Sequence, residues 1–154
     1  MKRLSIVFAA ILFLAPAAAA ADSGVITKPS AHSANETLNR FAAAVKKRGF
    51  MVFTTLDHAA AAKSRGLTMP FSTVVVFGNP KLGTPNFIKT PPLAIDLPFK
   101  ALVWQDKGGK VWLSYNSGNY VHKSLYARHG APYNPKVTVK LTKGLAAIAN
   151  EATK

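Results

Sequence analysis

Six carboxylates, four histidines and twenty lysine or arginine side chains make up the charged and titratable chemistry of this 154-residue sequence, which has no cysteine. Five of the six acids have a local task written into their neighbours. Asp22 follows an apolar leader, Glu36 closes a Ser33-Ala34-Asn35-Glu36 capping box, Asp57 stands where a helix N-cap belongs, Asp106 lies in a hairpin turn and Glu151 is near the C-terminus. Asp96 is left over. It sits between Ile95 and Leu97, just before Pro98, with Lys100 four residues on. The plain expectation is a structural Asp96–Lys100 ion pair at the entry to a strand. The sharper one gathers Asp96, His58 and the Asn79–Lys81 turn around one pocket, with Asp96 and a neutral His58 as acid/base partners. Lys81, Lys100 or Arg128 would then hold an anionic group of the substrate.

The histidines do not suggest a metal centre. His32, His58, His122 and His129 show no H-x-H, H-x₃-H or HExxH spacing. His122 and His129 are two helical turns apart, about 10 Å along a continuous helix, too far for one ion. His58 falls in the first turn of a short helix, where a neutral imidazole can accept or donate one hydrogen bond. His129, between Arg128 and Gly130, reads as a helix-end residue and joins the candidate ligand-binding set. Nucleophile tests also fail, since there is neither a G-x-S-x-G elbow nor a Cys. Gly78-Asn79-Pro80-Lys81-Leu82-Gly83-Thr84 lacks the G-x₄-G-K-[ST] order of a phosphate loop and reads as a turn presenting Asn79 and Lys81. No cofactor is implied.

Charge is the largest bulk signal. Twenty basic against six acidic residues give a formal +14, a surface that attracts polyanions such as lipid headgroups, lipopolysaccharide or teichoic acid. The basic residues are spread, with Lys46-Lys47-Arg48 as a short run and no aromatic-interleaved basic motif, so specific nucleic-acid binding is not expected. Lys2-Arg3, the apolar Leu4 to Leu14 and the small-residue stretch Ala15 to Ala21 form the three regions of a cleaved secretory signal over residues 1–21. Its removal takes away two basic residues and no acid, leaving a formal +12 on a domain of residues 22–154. The expected location is periplasmic or secreted. Without cysteine, that domain depends on its packed core.

The elements that must position these side chains are legible from periodicity. Val25 to Thr27 reads as a strand. Leu38, Phe41, Ala42 and Val45 repeat at helical spacing after the capping box, with Gly49 as the stop. Phe50 to Leu56 and Ser72 to Phe77 read as strands, the second central or buried on both faces, and His58 to Arg65 as a short alanine-rich helix. Pro80 and Pro85 each fit the first position of a short helical turn. Phe99 to Gln105 and Val111 to Tyr115 flank the Asp106-Lys107-Gly108-Gly109 hairpin connection, Asn119 to Arg128 reads as a helix, and a last helix runs from about Val137 to the C-terminus. Helices around a run of strands containing a hairpin indicate one α+β domain, an antiparallel-rich sheet with helices packed on one face.

Asp57-His58-Ala59-Ala60, Phe77-Gly78-Asn79-Pro80-Lys81-Leu82-Gly83-Thr84-Pro85, Asp96-Leu97-Pro98-Phe99-Lys100, Val111-Trp112-Leu113-Ser114-Tyr115-Asn116 and Arg128-His129-Gly130 together resemble, in order and spacing, the bacterial domain-of-unknown-function family 302. The resemblance covers nearly the whole chain after the leader. It implies a β-α-β(4)-α outline grouped with the TATA-box-binding-protein-like folds and association as a homodimer, and it implies no activity. The expectation is therefore an exported, non-enzymatic module for a small anionic ligand or an envelope polyanion, with an enzyme built on Asp96 and His58 as the alternative. The candidate ligand-binding residues are His58, Asn79, Lys81, Asp96, Lys100, Arg128 and His129.

Overall fold

The computed structural model describes residues 23–154. The leader read at residues 1–21, and Asp22, lie outside them. Five strands, β1 (Val25–Pro29), β2 (Met51–Asp57), β3 (Ser72–Gly78), β4 (Phe99–Gln105) and β5 (Val111–Asn116), form one sheet in the order β1-β5-β4-β3-β2, and every neighbouring pair is antiparallel. Helix α1 (Ala34–Lys47) carries the chain from the β1 edge to the β2 edge. The α+β class is as the sequence indicates.

Local chemistry explains why α1 lies where it does. Ser33 Oγ accepts the Glu36 N–H at 3.2 Å, capping the helix. The Glu36 carboxylate does not reach back to the cap; it turns to His32 Nδ1 at 3.1 Å. Gly49 ends the unit at φ +73°, a conformation that favours glycine. One stripe of α1, including Phe41, Ala44 and Val45, is buried against Val75 and Phe77 of β3, Val103 of β4 and Leu113 of β5. Phe41 meets the Phe77 ring edge-on at 5.3 Å. Each such fully buried side chain contributes roughly 1.5–3 kcal/mol by leaving water. Helix α5 (Pro135–Thr153) completes the core with Leu145, Ile148, Ala149 and Ala152, packing on α1.

The register defines two ends of the sheet. At the hairpin end, Trp104 pairs with Trp112 and Asp57 with Thr73. At the crossover end, Phe77 pairs with Phe99, Met51 with Gly78 and Val25 with Asn116. Two connections leave from the crossover end. The first, between β3 and β4, holds α3 (Pro80–Lys89) and a 3₁₀ segment, Pro91–Ile95. Where the sequence suggested two separate turns at Pro80 and Pro85, α3 is one helix that runs through Pro85; Asn79 Oδ1 caps it by accepting the Lys81 N–H. The second, after β5, is α4 (Gly118–Tyr120), a π-helical segment Val121–Tyr126, and a last turn through Arg128. That wide segment stands where the sequence suggested an ordinary helix, and π-helical turns occur frequently at functional sites. Helix α5 begins two residues earlier than its apolar spacing implied, because Asn134 caps it and Pro135 fits its first position.

Candidate functional site

Asp96 follows the 3₁₀ segment at its C-cap, between Leu93, which is fully buried, and the buried Leu97. Burial of those two leucines fixes the turn, and the Asp96 side chain is left only 15% exposed. Its carboxylate does not meet Lys100. Lys100 Nζ donates instead to the backbone carbonyls of Asp96, at 3.1 Å, and Pro98, at 3.2 Å. The expected Asp96–Lys100 ion pair is therefore corrected. A four-residue spacing aligns side chains on a helix, but here the chain passes from a 3₁₀ turn into a strand, and the flexible ammonium finds the turn's carbonyls first.

The partners of Asp96 come from the far side of the sequence. His129 Nε2 lies 2.7 Å from Asp96 Oδ2, with the His129 side chain 10% exposed, and Arg128 Nε lies 3.2 Å from the same oxygen. These two residues end the helical run that begins at α4. The contact thus ties the β3–β4 connection to the segment after β5, and four of the candidate residues, Asp96, Lys100, Arg128 and His129, come together. Asp96 Oδ2 takes the Nε of Arg128, so the two terminal guanidinium amines have no protein hydrogen-bond partner among the described residues. The Arg128 side chain is 57% exposed. His129 Nδ1 likewise makes no protein hydrogen bond among the described residues. The cluster is a carboxylate that orients a guanidinium and an imidazole, with a lysine ammonium on the neighbouring carbonyls.

His58 is not part of it. It opens α2 (His58–Lys63), exposed, directly after Asp57, and Asp57 Oδ1 caps that helix through the Ala60 N–H at 2.9 Å. The β2–β3 register places Asp57 at the hairpin end and Gly78 at the crossover end, about 20 Å apart at the rise of a strand. The Asp96–His58 acid/base pair does not form, and the enzyme built on it falls. Asn79 and Lys81 are at the correct end, but Asn79 Nδ2 donates to the Gly49 carbonyl at 2.9 Å and Lys81 is exposed on α3, so both are structural or peripheral to the cluster. A recess of about 500 Å³ lies instead at the hairpin end between Asp57, Lys63, Leu67 and Met69. Its one carboxylate is already the cap of α2.

A neighbouring pair escaped the sequence reading. His122, in the π-helical segment, is buried; its Nδ1 lies 2.6 Å from Thr138 Oγ1 of α5, and Tyr126 packs edge-on at 4.6 Å. Burial pushes its imidazole below the ordinary range. Among the described residues, Asp106 and Glu151 have partners of their own. Asp106 accepts from Trp112 Nε1 at 2.9 Å, the main cause that holds its carboxyl below the usual value. Lys47 and Arg48 hold Glu151 in the same sense. Among the described residues, no three His, Cys, Asp or Glu side chains gather in a way that could hold a metal ion.

A family model described as Domain of unknown function DUF302 matches residues 26–148, which span the sheet, α1 and the whole Asp96–His129 cluster. The chain belongs to the DUF302 family. A DUF302 protein from Bacillus stearothermophilus, described as uncharacterized and conserved, has a crystal structure similar to this one, with a TM-score of 0.72 at 19% identity over 84% of this chain and 98% of that one. That likeness shows the DUF302 fold. Among curated relatives, the "Fluoride-specific ion channel FluC 1" of Brucella suis biovar 1 (strain 1330) is 41% identical over 125 residues, 81% of this chain and 48% of its own length. The protein of the same name from Brucella abortus biovar 1 (strain 9-941) is also 41% identical over 125 residues, 45% of its length. This DUF302 chain spans about half the length of the curated relatives it matches. No helix among its described residues is long and apolar enough to cross a membrane.

Proposed function

We propose that the protein is an exported, non-enzymatic binding module that holds a small anionic ligand at Arg128 and His129. One observation carries the reading: Arg128 meets Asp96 at Nε, 3.2 Å away, while its guanidinium stays more than half exposed and its terminal amines have no protein hydrogen-bond partner among the described residues. A fork held in this way suits the two oxygens of a carboxylate or phosphate. His129, locked by Asp96 at 2.7 Å, adds a second oriented nitrogen, and Lys100 adds a nearby ammonium. Export rests on the order of charged, apolar and small residues at positions 2–21. The curated relatives named as fluoride channels are about twice as long as the segment they share with this chain, and the shared segment supplies no membrane-crossing helix among the residues described. In those proteins the shared segment would be an accessory domain beside a membrane part. A soluble ligand-holding domain suits that place.

A second reading rests on the same contact. Asp96 orients His129 as a carboxylate orients a catalytic base, with Nδ1 left open. It differs from the enzyme expected from the sequence in its histidine. Native mass spectrometry of the protein recovered from its own host tests the binding reading. A small anion retained by the wild type and lost in Arg128→Gln supports it, and a bare mass in both contradicts it.

A further inference from the structure

The crossover end of the sheet carries large apolar side chains that nothing in the fold covers. No residue of α3 is buried, and Leu82 is 65% exposed, Ile88 75% and, in the 3₁₀ segment beyond, Ile95 75%. Met51 and Phe53 of the edge strand β2 are exposed at the same end. Phe53 lies over Gly78, where a Cβ would meet its ring at 3.1 Å, and Asn79 Nδ2 binds the Gly49 carbonyl, so the tip of β2 and the start of α3 form one continuous surface. Contiguous exposed apolar surface rimmed by polar residues marks an interaction site.

Cations frame this surface. Lys81 and Lys89 are exposed on α3 itself, Lys100 lies just after the 3₁₀ segment, and Lys46 and Lys47 end α1 next to Gly49. Carboxylates are placed elsewhere or neutralised. Asp57 and Asp106 belong to the hairpin end, and Glu36 starts α1, about 16 Å along the helix from its basic last turn. Asp96 is paired with Arg128 and His129, and Glu151 with Lys47 and Arg48.

We propose that the crossover end docks on an anionic lipid bilayer, with Leu82, Ile88 and Ile95 entering the headgroup boundary and Lys81, Lys89 and Lys100 contacting lipid phosphates. Interfacial segments bind in this manner, by shallow apolar insertion supported by basic side chains. The chemistry favours a membrane over a soluble polyanion, because a polyanion has no use for the three aliphatic side chains.

Co-sedimentation with vesicles of phosphatidylethanolamine and phosphatidylglycerol, against vesicles of phosphatidylcholine, tests the docking. Every variant carries the same N-terminal segment, so differences among variants report the surface. The triple variant Leu82→Ser, Ile88→Ser, Ile95→Ser alters exposed positions and should melt like the wild type, yet lose about tenfold or more in partitioning and lose the fraction that survives high salt. Lys81→Glu with Lys89→Glu should lose a similar factor at low salt. Leu67→Ser with Met69→Ser, and Lys63→Glu with Lys107→Glu, both at the hairpin end, should change partitioning by less than about twofold. Equal binding by the serine variant overturns the proposal, as does an equal loss in the hairpin-end variants or an absence of binding to anionic vesicles. Wild-type partitioning by the serine variant together with conversion of a dimer to a monomer would overturn it in favour of a second copy as the occupant.

Discussion

Replacing Asp96 by Asn isolates the contact on which the site depends. Asp96 and His129 are 15% and 10% exposed and meet at 2.7 Å, so their charged hydrogen bond should contribute about 2 kcal/mol, within the usual 1.5–3 kcal/mol for such bonds. Arg128 is more than half exposed, and solvent screening reduces its share to below about 0.5 kcal/mol. Lys100 bonds to carbonyls that Asp96→Asn leaves in place, so its share should be near zero. For a domain of this size 1 kcal/mol moves the melting temperature by about 4 °C, and Asp96→Asn should therefore melt about 8 °C lower. Double-mutant cycles read by urea unfolding divide the effect. The coupling of Asp96→Asn with His129→Gln should be about 1.5 kcal/mol, that with Arg128→Gln under about 0.5, and that with Lys100→Met indistinguishable from zero. A larger coupling to Lys100 than to His129 would refute this account and restore the ion pair suggested by the four-residue spacing.

Three further outcomes follow from the packing. His122 is buried and held below its ordinary value of 6.5, whereas the unfolded chain takes up that proton near 6.5. Stability should be full above about pH 6.5 and fall as the pH drops toward the folded value, and His122→Asn should flatten that slope in melts run between pH 7 and 5 (about one to two units around the reference). A Cβ at Gly118 would stand 2.7 Å from the backbone nitrogen of Thr142. Gly118→Ala should accordingly cost about 1–3 kcal/mol in urea unfolding by forcing α4 away from α5. Ser33→Ala removes the cap on α1 and should cost about 1 kcal/mol in the same assay, while Ser33→Asp should cost little.

The elements were legible where a local rule decides them. Ser33 and Gly49 bound α1, Asp57 caps α2, and Gly109 supplies the positive φ of the β4–β5 hairpin, because capping and turn geometry depend on residues a few positions apart. The π-helical turn was not legible. It arises where the helix after β5 must place Val121, His122 and Leu125 in buried positions while following α5, and no local spacing encodes that fit. Helix α3 also differed: it is capped by Asn79 and continues through Pro85, which removes one hydrogen bond from an exposed helix. At the site, elimination left Asp96 without a local role, and the structure gives it the distant partners Arg128 and His129. Its partner lies 33 positions later, brought near by the β4–β5 hairpin and the packing of two connections at one sheet end. His58, chosen for its place in a first helical turn, is separated from Asp96 by the antiparallel direction of β2.

The most direct test of the anion-binding claim follows side-chain ¹H–¹⁵N resonances while inorganic phosphate is added at constant ionic strength. Saturable shifts at Arg128 Nε and the His129 imidazole, abolished in Asp96→Asn although the protein stays folded, are the predicted result. Unsaturating shifts spread over surface lysines, with Arg128 and His129 unmoved, would contradict it.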